Sequence, residues 1–296
     1  MTLTVLMEEG DDVAAVGETL GRLMRDHPSR AIVVLVPPSG DRILDAHVLA
    51  QCWMPFGKRE QICCEQVRIT VSEASFPDLP SVLLPLTAPD LPVFLWCRSP
   101  RLFRLPGFPA IEQAVGKLIV DSNAFDEPAA ILAELAAMRA SERVADLAWT
   151  RLTRWRELIA QAFENRNHHG CLQSISRVRV SYAGARAPTD AYYLAAWLLM
   201  GLEKGGGHAR VELECAGAHG PEPLCGVGLT AGESTEERFS VARAQDGAVD
   251  VKIDGLSCRT MFEAPSDYVM LREELSIYGR DPVFDEVLPR AAAIAV

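Results

Sequence analysis

Three short, unbroken apolar runs constrain this chain more than any other feature: AIVVLVPP from Ala31, PVFLWC from Pro92 and KLIVDS from Lys117. Runs this short, bounded by proline or polar residues, are buried strands, and their lack of alternation means that both sheet faces are covered. Helical spacing appears between them. Val13, Val16, Leu20, Leu23 and Met24 form one stripe over residues 13 to 26, which His27-Pro28 stops because the residue before proline avoids helical geometry. Residues 127 to 140 read as a second helix, with Pro128 in its first turn. Two further strand-like runs, at 43–54 and 60–71, flank a loop at 55–61. The first half is therefore expected to be an α/β layer around a mostly parallel sheet.

After about residue 142 the period changes. A helix within 146–163, the strand ISRVRVSYAG and the helix DAYYLAAWLLMGLEKGGG come first. Short alternating strands follow: HARVELECA, GVGLTAG, ERFSVARAQ, AVDVKID and SCRTMFEA. Asp246-Gly247 and Asp254-Gly255 are hairpin dipeptides, so this half is expected to hold an antiparallel sheet. Two helices close the chain, with Ser266 and Asp281 as N-caps. The expected fold class is α/β, with α+β character in the second half. The expected domains are 1–142, a mostly parallel sheet with helices, and 143–296, an antiparallel sheet with helices.

Hydrophobic residues make up 49% of the chain, enough for a packed core. A net charge of −11 opposes a broad nucleic-acid surface, since such surfaces neutralise phosphates with Lys and Arg. The first residues, MTLTVLMEEGDD, hold a short apolar run without a basic leader, and no apolar run reaches membrane-spanning length. A cytoplasmic protein without nucleic-acid or membrane partners is expected. Eight cysteines include no CxxC pair, so neither a zinc site nor a dithiol is suggested, and they are expected to be small buried hydrophobes. Cys63 and Cys64, adjacent on a strand, should point to opposite faces and make a poor chelate.

Catalytic templates do not fit. Gly116-Lys117 is followed by Leu118, which breaks a phosphate-loop pattern, and GVGLTAG spaces its glycines at 226, 228 and 232, one residue too far for GxGxxG. There is no GxSxG or HExxH, and His168-His169 are expected in a loop. No catalytic residue, metal ligand or cofactor is expected.

What stands out instead is DLAWTRLTRWRELIAQAF, residues 146–163. With Thr153 as N-cap, Trp155, Leu158, Ile159, Ala162 and Phe163 fall on one helical face, while Arg154, Glu157 and Gln161 face away. DLAWTRL is expected to be non-helical or a separate turn. Two readings fit Asp146, Trp149, Arg151, Trp155 and Arg156. They form a structural tether, Asp146 pairing with Arg151 and Trp149 covering a join between lobes, or they anchor a partner, because Trp and Arg concentrate interface energy.

This stretch resembles the glucose-6-phosphate dehydrogenase assembly proteins called OpcA, whose pattern is similar to DLxWTRLTxWRxLLAxxFD. HPSRAIVV (27–34), LLPLTAPDLPVFLWCR (83–98), KLIVDS (117–122), YYLAAWL (192–198) and RDPVFDEVL (280–288) resemble family blocks in the same order. The resemblance implies a non-enzymatic partner that assembles and allosterically activates glucose-6-phosphate dehydrogenase in the oxidative pentose phosphate pathway. Asp146, Trp149, Arg151, Trp155 and Arg156 would be its partner-binding residues. The alternative is a sugar-phosphate sensor or metabolic enzyme using a cleft between the lobes.

Overall fold

The computed structural model describes every residue except 28, 54–61, 88–89, 140–143, 165–171, 218–222, 245 and 278. The expected loop at 55–61, the His168-His169 pair and the boundary near 142 lie outside the described residues. The chain divides into two compact units. One comprises 1–124, 138–147 and 266–279, and the other 125–137, 148–265 and 280–296.

The first unit is built on seven strands: β1 (Thr2–Glu8), β2 (Arg30–Val36), β3 (Leu44–Trp53), β4 (Ile62–Val71), β5 (Val93–Cys97), β6 (Lys117–Val120) and β7 (Val144–Asp146). Their order is β3-β4-β2-β1-β5-β6-β7, parallel throughout except for β3, which runs antiparallel along β4. Numbered among themselves, the six parallel strands follow 3-2-1-4-5-6, the order of a dinucleotide-binding doubly wound sheet. β1 lies at its centre, with every residue from Thr2 to Met7 buried. That strand was legible only as a short apolar run, so the strand order was not.

Helix α1 (Val13–Asp26) follows β1 and spans the expected residues. Val16, Leu20, Leu23 and Met24 are buried, while Val13 at the first turn is 36% exposed. Asp12 caps α1, its carboxylate accepting from the N–H groups of Ala14 and Ala15. Short helices α2 (Leu79–Leu83), α3 (Pro100–Phe103) and α4 (Phe108–Glu112) connect the strands that follow. The core joins Leu3, Val5, Leu20 and Trp96 to Met270, Leu271 and Leu275, which come from far along the chain.

The second unit holds α5 (Pro128–Arg139, whose last two residues fall in the first unit), a short helix α6 (Leu147–Arg151, beginning in the first unit) and α7 (Thr153–Phe163). Next come β8 (Ile175–Tyr182) and α8 (Thr189–Lys204), then β9 (Arg210–Cys215), β10 (Leu224–Ala231), β11 (Glu237–Arg243), β12 (Ala248–Ile253) and β13 (Leu256–Met261). The six-stranded sheet runs β13-β12-β11-β10-β8-β9. All pairs are antiparallel except β8–β9, which α8 links as a crossover and therefore makes parallel. Asp254 (φ 45°) and Gly255 (φ 84°) form a two-residue turn between the paired Ile253 and Leu256, as the Asp-Gly signal predicts.

Alternation sorts this sheet into two faces. Val178, Val180, Val227, Leu229, Phe239, Val241, Val249 and Val251 are buried on one side. Arg177, Arg179, Asp250 and Lys252 stand on the other, the pattern of a sheet solvated on one face. Gly228 is glycine for a local reason. A Cβ there would meet the Glu237 carboxylate, which needs that space to reach Arg179. Helices α9 (Asp267–Ser276) and α10 (Pro282–Ala295) close the chain, α9 in the first unit and α10 in the second. Ser266 occupies the α9 cap position without a side-chain cap bond, whereas Asp281 caps α10 through Val283 and Phe284 N–H.

Candidate functional site

In a doubly wound sheet, ligands bind beyond the carboxyl ends of the strands where the order reverses. Here that point lies between β1 and β5. The chain leaving β1 reads Glu8-Glu9-Gly10-Asp11-Asp12, one glycine among four carboxylates. The Glu8 N–H donates to Asp11 Oδ2 at 2.7 Å, which folds the turn on itself. Asp12 Oδ1 accepts from Ala14 and Ala15 N–H at 3.0 Å each, so these helix-terminal donors are already satisfied.

Two arginines tie the strand ends together. Arg98, just past β5, bridges Asp11 (3.4 Å) and Asp267 (2.9 Å), with its guanidinium 4.6 Å from the Trp96 ring centre. Arg101 bridges Glu8 (2.9 Å) and Glu73 and donates to the Val36 carbonyl at 2.9 Å. At the end of β2, where a ribose-binding carboxylate would stand, the chain has Val36-Pro37. A dinucleotide's pyrophosphate needs free N–H donors and no opposing negative charge. These residues do not fit it.

The residues singled out in 146–163 occupy different settings. Asp146, the last residue of β7 and part of the first unit, is fully buried and accepts from Ser122 N–H at 3.0 Å. The other four lie in the second unit. Trp149, 2% exposed, donates its indole N–H to Asp281 Oδ2 at 3.0 Å. Its ring stacks on Phe284 (5.7 Å between centroids) and meets Tyr193 edge-on at 6.1 Å. The Arg156 guanidinium lies 3.5 Å from the Trp149 ring centre and donates to Thr153 Oγ1 at 2.8 Å. Arg151 reaches Asp190, the second residue of α8, at 3.4 Å. Trp155, 2% exposed, packs edge-on against Phe262 at 5.0 Å.

Two local expectations are corrected. Thr153 is not an N-cap: α7 starts at Thr153 itself, with Leu152 in the cap position. α6 runs almost directly into α7, so Leu152 is already near-helical and its carbonyl accepts from Arg156 N–H, while the Thr153 hydroxyl serves Arg156. On the α7 stripe, Trp155 and Ile159 are buried and Leu158, Ala162 and Phe163 are half-buried; Arg154, Glu157 and Gln161 face solvent as expected. Nor are the cysteines uniformly buried. Cys97 is, but Cys215 and Cys258 are exposed. Both lie on outer strands of the second sheet, β9 and β13, which have a neighbour on one side only.

What sequence reasoning missed is Asp281's second role and Asp190's part in holding Arg151. Asp281 was visible as a cap signal, but its bond to Trp149 spans 132 residues of sequence. The solvated face of the six-stranded sheet forms an open depression of about 1300 Å³. There Arg179 is held between Glu214 (3.0 Å) and Glu237 (2.6 Å), so its charge is already answered. Among the described residues, no cluster of His, Cys, Asp or Glu is arranged to hold a metal ion, and no helix is long and apolar enough to cross a membrane.

The fold and these sites define a class: a two-unit protein with a dinucleotide-type sheet order and a strand-helix turn unsuited to pyrophosphate. Among solved structures it is similar to an oxidoreductase from Sinorhizobium meliloti, with TM-score 0.54 and 11% identity over 100% of this chain and 95% of that one, a likeness of fold alone. In sequence, residues 21–137 match the glucose-6-phosphate dehydrogenase subunit N-terminal domain and residues 142–288 match the corresponding C-terminal domain; the chain belongs to this family, OpcA. A Nostoc punctiforme protein named as the OxPP cycle protein OpcA is 30% identical over 222 residues, covering 68% of this chain and 47% of that protein. A Synechocystis protein of the same name is 27% identical over 181 residues, covering 60% and 38%. The chain therefore spans about half, or less, of the length of these relatives.

Proposed function

We propose that this protein is a non-catalytic assembly factor and allosteric activator of glucose-6-phosphate dehydrogenase, acting in the cytoplasm at the entry to the oxidative pentose phosphate pathway. The observation that carries this reading is the in-order match of both halves of the chain to the two domains of the dehydrogenase-subunit family. An activator shifts its partner's equilibrium only by binding the active form more tightly, and a coupling of about 1–3 kcal/mol changes substrate affinity roughly 5–150-fold.

In this reading Asp146, Trp149, Arg151, Trp155 and Arg156 shape the partner-binding region, most of them from beneath. Trp149, Trp155 and Asp146 are buried, so their part is structural: Trp149 carries the Arg156 guanidinium on its ring, Trp155 packs against Phe262 and Asp146 accepts from the Ser122 N–H. Arg151 keeps 17% of its side chain exposed and Arg156 is half-buried, which leaves these two the members able to touch a partner.

The test is to mix the purified chain with the dehydrogenase from the same cells and record rate against glucose 6-phosphate. Co-elution and a curve displaced to lower substrate are expected; separate elution with an unchanged curve refutes the reading. Arg151→Ala should weaken activation and lower stability by about 1–3 kcal/mol, because Asp190 loses a charged partner at a buried position. Urea titration of the variant measures the second effect separately.

A further inference from the structure

We propose that the first unit carries a dinucleotide-type crevice liganded by the protein's own side chains, with the Asp12 carboxylate standing on the α1 N-terminus where a pyrophosphate would sit. The strand order puts the crevice beyond β1 and β5, and α1 begins there as the pyrophosphate-binding helix does in such sheets. What differs is the chemistry of the turn. The α1 terminus would attract an anion through its unpaired N–H groups and the positive end of its dipole. Asp12 is that anion, and it is covalently attached, so it occupies the site at all concentrations.

Asp11 adds a second negative charge and also engages Arg98, which Asp267 holds from its other side. Glu8 and Glu73 engage Arg101 in the same way. The two arginines thus serve as struts between strand ends, and an incoming phosphate would meet carboxylates at the turn. The class of ligand excluded is the nicotinamide or flavin dinucleotide, together with free pyrophosphate. This conclusion comes from the fold and the side chains and does not depend on the proposed partner.

The experiment compares thermal melting of the wild-type chain with that of the double variant Asp11→Asn, Asp12→Gly. Each is melted alone and with millimolar NAD⁺, NADP⁺ or pyrophosphate. Asn keeps an acceptor oxygen for the Glu8 N–H, and glycine at an N-cap costs only a few tenths of a kcal/mol relative to Asp, so the variant should fold. Circular dichroism checks that it does; if it does not, Asp12→Gly alone, which frees the Ala14 and Ala15 N–H groups and removes the charge, takes its place. No shift for wild type and a pyrophosphate-dependent rise in melting temperature for the variant are expected. A saturable shift of the wild-type chain with any of the three compounds overturns the proposal. Indifference of both proteins to pyrophosphate also overturns it, since Asp11 and Asp12 would then not be what keeps the anion out.

Discussion

Cys97 closes β5 beside the crevice, with its thiol directed to the Ser99 carbonyl at 3.5 Å. Burial pushes this thiol from an ordinary 9.0 up to about 12, with Glu8 and Asp11 adding in the same direction against the Ser99 backbone contact. Only the thiolate reacts, so Cys97 should resist alkylation in the folded protein at mildly alkaline pH, while Cys215 and Cys258 react readily. Peptide mapping after brief iodoacetamide treatment, with and without urea, checks this; native labelling of Cys97 at the rate of Cys258 refutes it. The raised value also makes stability depend on pH. The unfolded thiol ionises from about 9 while the folded one keeps its proton, so its contribution is whole below about 9 and is lost as pH climbs towards about 12. Wild type should lose stability faster than Cys97→Ala across that window in urea titrations. At this scale the sequence placed the thiol in a buried strand, but its acidic neighbours come from the end of another strand and could not be foreseen.

Helix starts show how far local signals reach. The Asp281 side chain is divided between two tasks: Oδ1 caps α10, and Oδ2 accepts the Trp149 indole N–H. Asp12 performs only the first kind of task for α1, beside its exposed first turn. Asp12→Ala should therefore cost about 0.5–2 kcal/mol, the usual loss of a cap. Asp281→Ala should cost about 2–4 kcal/mol, because a buried donor also loses its acceptor. Urea denaturation of both variants compares the losses, and near-ultraviolet circular dichroism should change only for Asp281→Ala. Equal losses would mean that the Trp149 bond contributes nothing. The Asp281 cap, the α1 stripe and the Asp254-Gly255 turn were legible because each rests on residues within a few positions of one another. β7 has only three residues, too few for any period, and β1 lacks alternation because both its faces are buried.

At the scale of the molecule, chain order and compact unit do not coincide. Residues 266–279 belong to the first unit, where α9 adds Met270, Leu271 and Leu275 to the core. Lys117 of β6 donates to Glu274 of α9 at 2.7 Å, both side chains about 7% exposed. A fragment of residues 1–142 lacks α9 and β7, so it should not fold cooperatively: Lys117 loses its carboxylate and a core wall is missing. A sharp thermal transition of that fragment, without binding of a hydrophobic dye, would contradict this. By itself the sequence determined the local grammar of this protein: which of the longer segments are strands or helices, where several begin and turn, and which family the blocks resemble. Those features depend on spacing along the chain, which periodicity records directly. Only the tertiary structure decided the central place of β1, the partners of Trp149 and Arg151, and the carboxylate on the α1 terminus. The first two are contacts between residues dozens to more than a hundred positions apart. The third becomes meaningful only when the strand order shows what that terminus would otherwise bind.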